Sequence, residues 1–427
     1  LHPSNPRLAE VWGVRQPTRS GVDVTPDTAL TFAAIYRAVS LISECAALLS
    51  KKTYRRADAT DDNDRETARK HPSYRLLNVS PDGIRSSFSF FESLTQHALL
   101  VGNGYAEIVR DGRGRAAELH LLEPSNVSVR IDSKTGRPQY YIYSPSRARG
   151  IELGARDIFH LRAPSWDGLI GKAPITRARE SIGVALASEE HIGRYFTQGG
   201  TPPGFLTRPN RIGDKERKRI QREWEEMHAG LENAHRVGVL SGGWDWKPTG
   251  MSLKDMEFVQ LRLFQVSEVA RWFGVPPHML ADLSKSTFDN IEHMLIEFVT
   301  FTMLPWVKRW ESECNMKLFT PDEQFTYYVE FDMDSLLRGD SLSRAEALER
   351  ELRNGALTPD EWRAKQNRPA YPDGIGSKPL IMASQLMTLE DVANGVTMMP
   401  KPGTSHTEDE PSPQRKAKPK PKPKKGE

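Results

Sequence analysis

Cysteine is almost absent from this sequence. The chain has two in 427 residues, Cys45 and Cys314. Both lie inside helical apolar patterns, which excludes a disulfide framework and fits a reducing cytosol. Long apolar runs are missing as well. The most apolar stretch, Ile291 to Trp310, is interrupted by Glu292, His293, Glu297, Pro305, Lys308 and Arg309. That is too many breaks for a bilayer span of about 20 apolar residues, so no membrane partner is expected. The opening LHPSNPRLAEVWGVRQ has no basic start leading into an apolar stretch, and no signal peptide is expected.

Enzyme signatures are equally scarce. No G-x-x-x-x-G-K-[ST], G-x-S-x-G or H-E-x-x-H occurs, so ATP hydrolysis, serine-hydrolase chemistry and zincin chemistry have no foothold. VGNGYAE begins like a phosphate loop, but its sixth position is Glu107 inside a strand pattern, and it reads as a turn between helix and hairpin. No cofactor and no resident metal are expected. The best enzyme lead is EFDMDSLLRGD. Asp332 and Asp334 alternate along one strand and point the same way, with Asp340 following, as a two-metal nuclease would use. No third acid stands at a comparable strand end.

Charge is present, and unevenly placed. The net charge is +3, yet the tail from Pro411 holds Arg415, Lys416, Lys418, Lys420, Lys422, Lys424 and Lys425 against Glu427 alone. The tail is thus +6 and residues 1–410 carry −3. A mildly acidic body is not a uniformly basic nucleic-acid binder. The alternating Lys-Pro tail is expected to be an extended, solvated arm able to meet polyanions without sequence preference.

The periodicity predicts an α+β chain. After a loose arm, TPDTALTFAAIYRAVSLISECAALLS reads as one helix with Thr25 as N-cap, Pro26 in the first turn and Ile35, Val39, Ile42 and Leu49 along one stripe. Residues 55–70 read as an exposed loop, and Ser87 to Leu100 as a second helix. From Tyr105 to Leu161 the period changes to two, giving an antiparallel β region. Helix returns between Pro174 and the stop at Gly199-Gly200. A small α/β unit follows, with strands GFLTR, RVGVLS and WDWKP around a helix whose Ile220, Trp224, Met227 and Leu231 form one stripe. Then come a helix Leu253–Phe273, a Pro/Ser/Lys/Thr connection, a long helix of about Asn290–Met316 kinked at Pro305, and the strand TYYVEFDMD. A charged helical end domain covers residues 341–385, with a disordered tail beyond Leu389.

The connection RWFGVPPHMLADLSKSTFDNIE carries the functional question. Its Ala-x-x-x-Gly-Val rhythm suits a helix-turn-helix regulator, but the turn leads into two prolines and a polar loop, and the next helix is among the most apolar in the chain. Together with FTQGGTPPGFL (196–206), LKDMEFVQLRLFQVSEVARWFGVPPHMLAD (253–282), STFDNIEHMLIEFVTFTMLPWVKRWE (286–311) and LLRGDSLSRAEAL…LRNGALTPDEWR (336–363), it resembles the portal proteins of tailed bacteriophages, the head–tail connectors. The match runs to about residue 385. One departure is Thr358-Pro359-Asp360-Glu361, where the family often has Thr-x-Asn-Glu.

The resemblance implies a structural ring, usually of twelve copies, at one capsid vertex. Double-stranded DNA would pass through it without sequence recognition. The implied partners are the terminase large subunit, the head–tail adaptor, and the major capsid protein or scaffold. The protein would sit in the virion after assembly in the host cytoplasm. Residues 1–172 would be an N-terminal arm and wing, 173–198 and 253–280 the two stem helices, and 199–252 the clip. Residues 281–289 would be the tunnel loop, 290–332 the long kinked helix and a wing strand, 333–385 the crown, and 386–427 a disordered basic tail. The tunnel loop's Ser284, Lys285, Ser286 and Thr287 would touch phosphates. The clip helix, with Lys215, Arg217, Lys218, Arg219 and Arg222, would dock an acidic partner surface. The two prolines would end the second stem helix at Val275.

Overall fold

The computed structural model of the chain describes residues 18–56, 65–143, 150–197, 204–210, 212–228, 243–248, 258–282, 288–333, 336, 341–365, 368–382 and 386–388. They fall into two units that divide between Leu337 and Arg338.

Thr25 caps α1 (Pro26–Leu30) as expected. Its hydroxyl accepts the Thr28 amide at 3.1 Å, and the Thr28 hydroxyl accepts the Thr25 amide at 2.8 Å, a reciprocal cap. The single expected helix is broken at Thr31–Phe32, where the Thr31 hydroxyl bonds the Thr28 carbonyl at 2.7 Å and helps end the first turn. The chain restarts as α2 (Ala33–Leu48), whose Ile35, Val39 and Ile42 are buried. Strand β1 (Ser50–Arg56) and the short β2 (Arg65–Thr67) follow. Both ends of the expected loop 55–70 therefore carry strand, because Arg55 and Arg56 extend β1 and pair with β2.

Helix α3 (Pro72–Asn78) leads to α4 (Ser87–Val101), which Ser86 caps and which ends on Gly102 at φ +89°. The phosphate-loop lookalike is thus the turn into β3 (Asn103–Arg110). Strands β4 (Ala116–Leu122), β5 (Val127–Ile131), β6 (Pro138–Ile142), β7 (Ile151–Gly154) and β8 (Ile158–Arg162) complete the β region. It is two antiparallel sheets, ordered β4-β3-β8 and β5-β6-β7.

The remaining elements of the first unit are α5 (Pro174–Thr197), β9 (Gly204–Thr207), α6 (Asp214–His228), β10 (Asp245–Pro248), α7 (Phe258–Phe273), α8 (Phe288–Glu297), a π-helical turn (Phe298–Met303), α9 (Leu304–Lys317) and β11 (Tyr327–Asp332). Strand β11 pairs with β1, Thr53 opposite Val329. The interruption of the long helix is this π-turn, ahead of Pro305. Proline has no N–H to bond the Phe301 carbonyl, and its ring crowds that oxygen, so the preceding turn opens. Leu304 accordingly donates to the Val299 carbonyl, five residues back.

Helix α9 runs through the core. The fully buried Trp310 ring lies 4.4 Å from Phe91 and 5.5 Å from Phe159, centroid to centroid, and its Nε1 donates to Thr95 Oγ1 at 3.2 Å. Burying each such ring contributes about 1.5–3 kcal/mol. Further bonds tie α9 to its surroundings. Glu313 Oε1 accepts the His160 amide at 3.0 Å, Glu311 Oε1 the Phe331 amide at 2.9 Å and Asn315 Oδ1 the Val329 amide at 2.7 Å. Lys317 donates to the Ala155 carbonyl.

The second unit contains α10 (Ser341–Arg353), α11 (Pro359–Lys365) and the hairpin β12–β13 (Leu380–Met382, Leu386–Thr388). The departure at 358–361 leaves its cap intact. Glu361 donates its amide to Thr358 Oγ1 at 3.2 Å, and its Oε2 accepts the Thr358 amide at 2.8 Å.

Candidate functional site

Helices α5 and α7 pack side by side. Ile182 and Ala185 are buried on α5, as are Val269 and Phe273 on α7. Arg262 Nη2 lies 2.9 Å from Glu189 Oε1, and Gln265 Nε2 reaches Ser188 Oγ at 3.5 Å. Helix α7 also exposes Leu261, Leu263, Phe264 and Trp272.

Helix α7 closes at Phe273, where its periodicity ends, and two residues before the end at Val275 that the two prolines implied. The agent is Gly274 rather than the prolines. It sits at φ +67°, and the Val275 amide turns back to the Ala270 carbonyl at 3.0 Å, a Schellman closure that a residue with a Cβ resists. A Cβ on Gly274 would also stand 2.8 Å from Thr302 Oγ1. That hydroxyl donates to the Gly274 carbonyl at 2.5 Å. Pro276 and Pro277 then launch a 3₁₀ turn, Pro277–Leu280, which ends on Ala281 at φ +65°. Ala281 is the only non-glycine residue with positive φ among those described, a conformation that costs of order 1 kcal/mol or more. His278 is half-buried in the turn, and burial pushes its pKa down.

Ser284, Lys285, Ser286 and Thr287 lie outside the described residues, so the structure brings none of them to a site. It places what leads up to them, which the sequence indicated only through Gly274 and the prolines. Thr302 carries no sequence signal of its own beyond the proline three residues on.

The five clip-helix cations are all exposed on α6. Arg217 pairs with Asp214 at 3.1 Å and Arg219 with Glu223 at 3.5 Å. Lys215, Lys218 and Arg222 have no ion pair among the described residues, and their spacing of three and four puts them on one stripe. Ile220 and Trp224 are half-buried on the other face. The side chains of Met227 and Leu231 lie outside the described residues. Strand GFLTR pairs with WDWKP, Leu206 opposite Trp246. RVGVLS lies outside the described residues.

Asp332 is engaged as a structural partner, its Oδ2 accepting Lys52 Nζ at 3.1 Å across the β1–β11 pair. Asp334 and Asp340 lie outside the described residues. Among the described residues no three His, Cys, Asp or Glu gather at metal-binding geometry, and no helix is long and apolar enough to cross a membrane.

Comparison with known proteins places this arrangement. Residues 33–367 match the family described as phage portal protein. The chain belongs to the phage portal protein family. It is 31% identical over 356 residues to the portal protein of Enterobacteria phage HK97, covering 82% of each chain. It is also 31% identical over 368 residues to the probable portal protein of Streptomyces phage phiC31, covering 84% of this chain and 79% of that one. Its fold is similar to a chain in the neck of a native gene transfer agent particle computed with C12 symmetry. There the TM-score is 0.55 at 23% identity, over 86% of this chain and 99% of that chain. The portal family's mixed helix-and-antiparallel-sheet architecture is thus the one observed here, with α5, α7 and the Gly274–Ala281 joint inside the family match.

Proposed function

We propose that this portal-family chain assembles into a ring, of twelve copies as in the C12 neck it resembles, at one vertex of a capsid. The ring conducts double-stranded DNA during packaging and ejection. It is a structural component of the virion, and ATP hydrolysis belongs to the terminase motor that docks on it.

The observation that carries this reading is the α5–α7 pair ending on a built joint. Gly274, the 3₁₀ turn and the strained Ala281 hold the chain at a defined point before Ser284–Thr287. Small polar residues and one lysine there suit transient contact with phosphates of any sequence. An acidic body adds little net attraction, so DNA can slide rather than bind tightly. The exposed stripe Lys215, Lys218 and Arg222 suits an acidic surface on the terminase large subunit before packaging and on the adaptor afterwards. The crown, residues 333–385, faces the capsid interior in this arrangement, and the capsid protein or scaffold contacts the wing.

Light scattering on the purified protein, with electron microscopy of the same peak, tests the proposal. A particle near twelve times the 48.2 kDa chain, with a central hole, is expected. A compact dimer that selects one DNA sequence overturns it.

A further inference from the structure

An open groove of about 280 Å³ lies where α2, α5 and α7 meet. Phe32, Ile35, Ile182, Gln265, Val269 and Trp272 line it, and Trp272, 42% exposed, stands at its rim. Gln265 is 4% exposed. Its Nε2 reaches Ser188 Oγ, but its Oε1 has no hydrogen-bond partner among the described residues. A buried carbonyl oxygen without a donor is rare and costly. The groove therefore suits a group that is apolar in body and carries an N–H. Leu261, Gln265 and Trp272 fall at i, i+4 and i+11, on one stripe of α7. Leu261 and Phe264 are exposed, so the apolar line continues along α7 past the groove.

The chain itself supplies such a group. Residues 1–17 lie outside the described residues, which begin at Thr18. Thr18 is buried against α5. A Cβ on Gly183 would stand 2.7 Å from the Thr18 side chain, and the Arg19 amide donates to Glu180 Oε2 at 3.0 Å. Gly183 is the neighbour of the groove residue Ile182. Forward from Thr18, the chain returns to the same groove with Phe32 and Ile35. Backward from it, the sequence of residues 8–17 is LAEVWGVRQP, in which Leu8, Val11, Trp12 and Val14 are apolar. Trp12 precedes Thr18 by six residues, a reach of up to about 20 Å. That is roughly twice the spacing of about 8–10 Å between packed helix axes. An indole is large, apolar and a hydrogen-bond donor only, which matches an apolar groove whose Gln265 Oε1 lacks a donor.

We propose that the α5–α7 groove is the seat of residues 8–14 of the same chain, with Trp12 as anchor and its indole N–H given to Gln265 Oε1. The tether at Thr18 makes the contact intramolecular, with an effective concentration on the order of millimolar. The seated segment covers Leu261 and Trp272 and ties the start of the chain to both helices. The proposal does not depend on the ring reading.

Photo-crosslinking of the full chain tests this, with benzoylphenylalanine placed at position 272 and trypsin digestion of the product. A cross-link to the tryptic peptide of residues 8–15 is expected. Chains made with and without ¹⁵N are mixed before assembly, and the cross-link should join peptides of one label. Leu8→Ser with Trp12→Ser should lower its yield about tenfold, and Trp12→Phe, which keeps a ring without the N–H, about two- to threefold. Cross-links to other segments only, or none, overturn the proposal. Cross-links joining labelled to unlabelled peptides overturn seating within one chain and assign the groove to a second copy. An undiminished yield in the double variant overturns Trp12 as the anchor.

Discussion

His160 Nε2 stands 2.9 Å from Asn103 Oδ1, and that contact settles the state of a buried imidazole. Asn103 Oδ1 also accepts the Gly171 amide at 2.8 Å while its Nδ2 donates to the Gly171 carbonyl at 3.1 Å. The oxygen is therefore an acceptor, and Nε2 of His160 carries the proton. Nδ1 is left to accept from Tyr140 at 3.0 Å and from Arg162 Nε at 3.2 Å. Tyr105 stacks on the ring at 4.5 Å, and Lys317 and Glu313 of α9 complete the surroundings. The imidazole links the two small sheets through Tyr140, and the His160 backbone amide ties this junction to the long helix through Glu313.

Acid should loosen this junction. Burial, then the Arg162 and Lys317 charges, hold the His160 pKa well below 6.5. The unfolded chain therefore takes up a proton that the folded one refuses. The stability from neutral His160 is present in full above about 6.5 and declines as pH falls below it. Glu313 has the opposite sign, since burial raises its pKa. The comparison that isolates His160 is thus parent against His160→Gln, with Glu313 present in both. Melting temperatures between pH 7.5 and 5 should fall more steeply for the parent.

Lys51 should destabilise the protein at neutral pH. It is 4% exposed, with Nζ 2.6 Å from the Ala47 carbonyl and 4.3 Å from the Phe91 ring centroid, and burial lowers its pKa from 10.5 to about 8. Below about 8 both states are charged and the full penalty applies. Between about 8 and 10.5 the unfolded chain holds more protons, so stability rises with pH. Lys51→Met is expected to gain about 1–2 kcal/mol at pH 7 after losing the carbonyl bond and ring contact. It should also flatten the rise above pH 8 in urea titrations.

Two glycines in one loop should respond differently to alanine. A Cβ on Gly171 would lie 2.0 Å from the Gly102 carbonyl oxygen, backbone against backbone, whereas Gly168 at φ +72° faces open space. Gly171→Ala should cost more than about 3 kcal/mol or prevent soluble expression. Gly168→Ala should cost about 1 kcal/mol. Thermal melts of the two variants check this.

Reversing the clip stripe should separate binding from folding. Lys215→Glu, Lys218→Glu and Arg222→Glu together alter exposed side chains without ion pairs among the described residues, so each should change stability by no more than about 0.5 kcal/mol. Capture of purified terminase large subunit should be lost at low salt. Retained capture removes the stripe from the docking surface.

Much of the helical layout was legible. Helix α5 spans Pro174–Thr197 against an expectation of 173–198, because proline at its start, two glycines beyond its end and a continuous stripe agree. The Thr25 cap was readable for the same reason, since its partner is three residues away. Legibility failed where the partner is distant. Arg55 and Arg56 read as the start of an exposed loop, yet SKKTYRR is a strand with buried Lys51 and Thr53, because β11 pairs with it 280 residues away at Lys52–Asp332. The β region read as one antiparallel stretch, but alternation cannot tell which strands share a sheet, and there are two.

Local chemistry by itself determined where helices begin, where glycine and proline stop them, which faces are apolar, and that the body is acidic and the tail basic. Motif order then identified the family. Only the tertiary structure decided that Lys51 is buried, that His160 is neutral with its proton on Nε2, that Asp332 serves a strand pair, and that the break before Pro305 is a π-turn fastened to Gly274 through Thr302. The physical reason is common to all four. Periodicity and capping act within a few residues, whereas burial, tautomer and register are set by groups that chain folding brings from far along the sequence.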